Sequence, residues 1–509
     1  MVLLSHTGDS PDSRQKADST SAPEITVDPG NMVHLASPGH HQRCRQSRQW
    51  QRILIEDPRP KSPLHLVENS DSYTTSVYGS RFAGENLPKV EMPETEMPKE
   101  VAYRLIKDDL SLDGRRGREA HGRVLFKNFI DYEEYPQSAD IQNRCVSMIG
   151  RLFHAPVASD GSGAVGTSCV GSSEAIMLAV LAMKKRWKNR RTAAGLSIDK
   201  PNIIMSSAVQ VCWEKAARYF ELEEKLVYCA PDRFIIDPEQ AADLVDENTI
   251  GICVILGTTY TGEYEDVRAV SDILVERKLD VPIHVDAASG GFVAPFISPE
   301  LEWDFRCEKV VSINVSGHKY GLVYPGVGWV LWRSPEFLPQ ELVFNINYLG
   351  ADQASFTLNF SKGASQVIGQ YYQLIRLGKR EPPPGQQLHH HVQTRRRGLP
   401  LVAFRFKDDP EREYDEFTLA HQLRVRGWVV PAYTMAPHTN KMKMLRVVVR
   451  EDFSKSRCDN LIADIKLSIN FLDNLDRESI KKHEAYVLRH NTASGRATHN
   501  PLPTLQVLG

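Results

Sequence analysis

A chain of 509 residues, 41% hydrophobic and 25% charged, is long enough to build two or more lobes around sizeable cores. Its 62 Lys and Arg against 64 Asp and Glu leave a formal net charge of -2, which removes the usual electrostatic reason to expect nucleic acid or an anionic membrane as main partner. The eight cysteines form no Cys-x-x-Cys pair and most lie in apolar runs, the usage expected of reduced core thiols in the cytoplasm.

The start, "MVLLSHTGDSPDSRQ", has too little apolar character for a secretory signal, and no uninterrupted apolar stretch is long enough to suggest a membrane span. Residues 1–70 are rich in Ser, Pro, His, Gln and Arg without periodicity; disorder is expected there, with Met32 as an alternative start. An N-terminal segment follows over 71–139, cut short around 114–125 by "GRRGREAHGR". Over 140–378 the pattern repeats strand, turn and helix. "PNIIMSS", "TIGICVILGTTY", "DVPIHVDAASGG" and "KVVSINVSGHK" are short β-branched runs, separated by helical segments such as "EAIMLAVLAMKKRW" and "DVRAVSDILVERK". That alternation predicts an α/β fold with a mostly parallel sheet, whose ligands sit beyond the carboxyl ends of the strands. An irregular linker over 379–397 leads to a smaller C-terminal α+β domain over 398–475 and a tail over 476–509.

The polar residues at the strand ends carry the chemistry. Asp286 closes an apolar strand and needs a cationic or hydrogen-bonded partner. Gly171, Ser172 and Ser173 precede a long helix and offer free N–H groups and hydroxyls to a phosphate. Thr258 and Thr259 end another strand. Lys319 follows Ser316, Gly317 and His318 between two core-like segments, where an ammonium would be desolvated. Each feature alone reads as a cap or a surface side chain. Together they are the parts that hold pyridoxal phosphate: an amine for a Schiff base, an anion for the pyridinium nitrogen and a phosphate cradle. Ala288 is small enough for a ring to lie flat against it.

The stretches "VGSSEA", "VQVCWEK", "LGTTYTGEYEDV", "VPIHVDAASGGFVAPF", "INVSGHKYGLVYPGVGWVLWR", "FNINYLG" and "TLNFSKGASQVIGQYY" closely resemble the glutamate decarboxylases of bacteria, fungi and plants, which are fold-type I pyridoxal-phosphate enzymes. The likeness is nearly continuous over 140–378, resumes over 398–475, and also covers "SRFAGENLPKVEMPETEMP". It implies a large domain with a seven-stranded sheet, pyridoxal 5'-phosphate as cofactor, and decarboxylation of L-glutamate to 4-aminobutanoate in a homodimer or higher oligomer. It makes Lys319 the Schiff-base lysine and Asp286 the partner of the ring nitrogen. Ser172, Ser173, Ser316 and His318 become phosphate ligands, with Ser361 supplied by the neighbouring subunit. Gln210 and Thr259 lie near the ring, and Tyr348 on a mobile loop protonates the carbanion. Arg446 places the substrate carboxylate, and Asn128 and Asp131 lie near the side-chain carboxylate.

Two stretches depart from the resemblance. Relatives carry roughly one further helical hairpin between motifs like "LSLDG" and "KNFID", including a Thr-Phe pair that helps bind the distal carboxylate. Here "RRGREAHGRVLF" stands in its place. "KREPPPGQQLHHHVQTRRR" replaces a helix and a strand. Both read as abrupt splices of a mis-assembled gene model. The alternatives are a decarboxylase of aspartate or cysteine sulfinate, or a cofactor-binding homologue inactivated by the altered pocket. His389, His390 and His391 read as a solvated loop rather than a metal site, and Arg395 to Arg397 as solvated charge. The tail lacks the Trp-bearing basic helix of the plant relatives, so calmodulin binding is not expected.

Overall fold

The computed structural model describes residues 87–110, 127–131, 133–157, 164–346, 353–379, 398–450, 452–475 and 478. The expected N-terminal disorder, the altered stretch 114–125, almost all of 379–397, all of the tail but residue 478, and Tyr348 lie outside the described residues.

A seven-stranded sheet forms the centre, built from β1 (Val165–Cys169), β2 (Asn202–Ser206), β3 (Glu223–Val227), β4 (Thr249–Ile255), β5 (Ile283–Asp286), β6 (Val310–Val315) and β7 (Gly328–Trp332). The spatial order is β1-β7-β6-β5-β4-β2-β3. β7 runs antiparallel to both its neighbours and every other pairing is parallel, so the sheet is mostly parallel, as the strand-helix alternation predicts. All seven residues of β4 are buried, and every residue of β2, β5, β6 and β7 as well. Burial of both alternating sets of residues is what a sheet covered on both faces produces.

Two helices lead into the sheet, α1 (Lys99–Leu110) and α2 (Pro136–Leu152). The crossover helices are α3 (Ser172–Ala193), α4 (Val211–Tyr219), α5 (Pro238–Asp243) and α6 (Val267–Glu276), and α7 (Ser365–Leu377) packs against α2. Asp237 and Asp266 cap α5 and α6 by accepting from the backbone N–H of Gln240 and Ala269, three residues on. Helix α3 has no such cap: Gly171 precedes it, and its first N–H groups keep no side-chain partner at the cap position. β7 begins beneath this turn. A Cβ on Gly328 would stand 2.8 Å from the Gly171 carbonyl carbon, so only glycine lets the strand pass so close.

After β8 (Phe344–Ile346) and β9 (Gln353–Ser355), a second sheet of order β10-β12-β11 comprises β10 (Leu401–Phe404), β11 (Ala432–Thr434) and β12 (Lys443–Val448). Helices α8 (Glu416–Val425) and α9 (Lys455–Asp473) cover it around a core that includes Leu419, Leu423, Leu445 and Leu461. This lobe docks on the loop after β4. Leu399 N donates to the Gly262 carbonyl at 2.7 Å, and the Leu399 side chain fills the space where a Cβ on Gly257 (φ 100°) would stand. Among the described residues no helix is long and apolar enough to cross a membrane, and no cluster of three His, Cys, Asp or Glu side chains could hold a metal ion.

Candidate active site

The carboxyl ends of β4, β5 and β6 and the amino end of α3 meet in one cleft. Asp286, the last residue of β5, is 4% exposed. Its Oδ2 accepts from Trp213 Nε1 at 2.8 Å, and its Oδ1 accepts from Asn314 Nδ2 at 3.1 Å and from Ala288 N at 3.2 Å. Three donors fix the plane of a carboxylate that burial alone would disfavour. Beyond β6, Lys319 reaches back over the same strand ends and its Nζ lies 3.3 Å from Ser289 Oγ. The side chain keeps some exposure to solvent, yet protein crowds its surroundings. That crowding lowers its pKa against the favourable pull of Asp286, and Arg446 adds to the lowering.

The other end of the cleft is an anion cradle. Ser172 Oγ and Ser316 Oγ are hydrogen-bonded to each other, and Asn314 Nδ2 reaches Ser172 Oγ at 3.3 Å. Ser316 is wholly buried, while Ser173 is exposed in the first turn of α3. Next to them the buried Nδ1 of His318 has no hydrogen-bond partner among the described residues, and its ring lies 3.3 Å from the place of a Cβ on Gly171. Burial lowers the His318 pKa; the Val327 carbonyl opposes this and Lys319 reinforces it. Two hydroxyls and an uncapped helix end are suited to an anion, and the unpaired His318 nitrogen could join them as a donor where a bound anion holds the ring protonated.

The remaining predicted residues fall into three groups. Gln210 is the residue before α4, half-buried, and Ala288 is buried just past Asp286. Thr259 follows β4, and its carbonyl accepts from Arg446 Nη1 on β12, so these two come together across the lobes. The Arg446 guanidinium also lies over the Tyr433 ring at 5.3 Å. Asn128 and Ser361 pair with each other instead, Nδ2 to Oγ at 3.3 Å, and Asn128 Oδ1 accepts from Lys362 N at 3.0 Å. Asp131 lies in the same segment and accepts from Glu134 N at 3.1 Å.

Residue-by-residue reading of the sequence passes over Trp213, His284, Ser312 and Asn314. A signal for three of them is present. His284 and Asp286 alternate along β5 as Ser312 and Asn314 do along β6, and the register pairs His284 with Ser312 and Asp286 with Asn314. Polar residues two apart in otherwise apolar strands share one face.

The amine, the buried carboxylate and the anion cradle, with a small residue between them, fit a pyridine that bears an aldehyde and a phosphate. Residues 122–396 match the pyridoxal-dependent decarboxylase conserved domain. The chain belongs to the pyridoxal-dependent decarboxylase family, and pyridoxal phosphate is its cofactor. Glutamate decarboxylase 1 of Arabidopsis thaliana is 49% identical over 454 residues, covering 82% of this chain and 90% of that protein. Glutamate decarboxylase beta of Listeria innocua is 39% identical over 466 residues, covering 84% and 98%. The solved glutamate decarboxylase of Lactobacillus brevis superposes with a TM-score of 0.65 at 38% identity, covering 84% of this chain and 97% of its own.

Proposed function

We propose that the protein decarboxylates L-glutamate to 4-aminobutanoate and carbon dioxide, consuming one proton. The observation that carries this reading is the meeting of Lys319, Asp286 and the Ser172–Ser316–His318 cradle in one cleft of a chain so similar to glutamate decarboxylases. Lys319 would hold the cofactor through Nζ, since a lowered pKa favours the uncharged amine that combines with an aldehyde. Asp286 would face the ring nitrogen, Ala288 the ring, and Gln210 and Thr259 its edge. Ser172, Ser173, Ser316 and His318 would bind the phosphate. Bound pyridoxal phosphate supplies an electron sink for the pair left on Cα when the carboxylate departs.

Arg446 would orient the substrate carboxylate, and Asn128 and Asp131 would lie at the distal one. The bond from Cα to the carboxylate breaks, its electron pair stays at Cα, and a proton adds there as carbon dioxide leaves. Tyr348 is the proposed donor of that proton. Ser361 from a second copy of the chain would complete the phosphate site, which makes the working unit at least a homodimer. The cysteine usage supports a cytoplasmic setting.

Carbon dioxide release should depend on added pyridoxal phosphate and be about tenfold or more faster from L-glutamate than from L-aspartate or cysteine sulfinate. Lys319→Ala should cut turnover by about 10³ or more and abolish the visible absorption of bound cofactor. Preference for aspartate or cysteine sulfinate would overturn the substrate. Cofactor absorption without carbon dioxide from any of the three would identify an inactivated homologue.

A further inference from the structure

We propose that His284 is a positioning residue for Asp286, acting through the Asn314 amide, which it locks in the one orientation that serves both ends of the cofactor cleft. The proposal rests on the reading of Asp286 as the partner of the pyridine nitrogen.

The hydrogen-bond polarity is determined by the carboxylate. Asp286 Oδ1 is an acceptor, so the Asn314 atom 3.1 Å from it is the Nδ2 donor. The same Nδ2 directs its second hydrogen toward Ser172 Oγ at 3.3 Å. Asn314 Oδ1 is then the acceptor for His284 Nε2 at 2.7 Å, so that nitrogen carries the ring proton. His284 Nδ1 is left to accept from Ser312 Oγ at 2.7 Å. One neutral tautomer satisfies every bond, whereas a flipped Asn314 would press its oxygen against the carboxylate. His284, Ser312 and Asn314 are all wholly buried, so none of these partners can be replaced by bulk water.

Burial holds the imidazole neutral, lowering its pKa to about 4 in spite of Asn314 and Asp286. The His284 ring also lies 5.4 Å from that of Trp213, the donor to the other carboxylate oxygen. A single imidazole thus braces both donors that hold Asp286 from outside its own loop. Through Asn314 it also braces the hydroxyl pair of the phosphate cradle.

The test compares His284→Gln with His284→Leu in the full chain. It reads the dissociation constant for pyridoxal phosphate, the visible absorption of the bound cofactor, and kcat and KM for glutamate, with circular dichroism to verify folding. Leu leaves Asn314 Oδ1 and Ser312 Oγ unpaired; Gln can still donate to Asn314. The Leu variant should bind pyridoxal phosphate about tenfold more weakly, with altered absorption, and lose about tenfold in kcat while KM stays within about twofold. Gln should recover affinity and kcat to within about threefold of the native chain. Equal losses of melting temperature in Leu and Gln with unchanged cofactor affinity and absorption would overturn the proposal, leaving only a structural role. If Leu does not fold, Ser312→Ala decides: about threefold weaker cofactor binding supports the relay, and unchanged binding overturns it. Cofactor affinity is readable without turnover. A native chain that binds pyridoxal phosphate but is silent on glutamate defeats the proposed function and leaves this comparison valid, whereas one that binds none defeats both.

Discussion

The two sides of the cleft are built on different terms. On the β5–β6 side, Asp286, Asn314, His284 and Ser312 project from paired, wholly buried strands, and each is fixed by hydrogen bonds to its neighbours. On the side of the smaller lobe, the half-buried Arg446 meets the large domain through a loop carbonyl at Thr259, and Tyr433 donates to the Tyr260 carbonyl. The first side is set by strand register. The second is set by the docking of two surfaces, each contributing few bonds. The proposed roles divide the same way, with the ring-nitrogen partner on the first side and substrate placement by Arg446 on the second.

Asp286→Asn should break the rigid side outright. It keeps the shape but sets an amide N–H against one of the fixed donors, and kcat should fall by about 10³ in a folded protein that still binds cofactor. A fall of less than tenfold would mean that the carboxylate is dispensable.

The next effect is on stability. Glu265 is buried and accepts from Ile255 N at 2.7 Å and Ile236 N at 2.9 Å; burial raises its pKa from 4.5 to about 7. A raised carboxyl pKa stabilises the fold fully below about 4.5, and that contribution is lost as pH rises through about 7, on the order of 3 kcal/mol in all. His284 acts in the opposite sense: its pKa is depressed, so its contribution is present above 6.5 and lost as pH falls through about 4. The two offset each other in weak acid, and only Glu265 acts above that range. Melting temperature should therefore change little between about pH 4.5 and 6.5, and Glu265→Gln, which leaves His284 unopposed, should make it rise with pH across that range whatever its absolute stability. A profile equally flat in the variant would remove Glu265 as the offsetting group.

On the docked side, Arg446→Lys keeps the charge but loses the planar fork. KM for glutamate should rise about tenfold with a smaller change in kcat, the reverse of the split expected for His284. The smallest effect belongs to Tyr433→Phe, which removes one hydrogen bond between the lobes and should cost about 1 kcal/mol in chemical denaturation. A loss several times larger would show the docking to be more cooperative than its few bonds suggest.

The same contrast decides what was legible in the sequence. Lys319, Asp286, Ser172 and Ser316 stand at strand or helix ends, where an apolar run stopping at a polar residue marks the position without any knowledge of pairing. The mostly parallel sheet was equally readable from its strand-helix alternation. The antiparallel course of β7 was not, because nothing in "GWVLW" distinguishes its direction. The brace of His284 and Asn314 needs the register of two strands, and a slip of one residue would turn the polar pairs to opposite faces. The contact of Arg446 with Thr259 depends on how two lobes meet, which local periodicity does not encode. The pairing of Asn128 with Ser361 likewise joins segments that are far apart in the chain.

The antiparallel strand has a consequence for how the molecule matures. Because Val165 pairs with Trp332 and Cys169 with Gly328, the ends of the sheet segment close on each other only when nearly the whole large domain has been synthesised. Such distant pairings make for slow folding. Gly328 reaches its seat against Gly171 only with that closure, so a signal from the turn before α3 during refolding would time the last seam of the sheet rather than the first collapse.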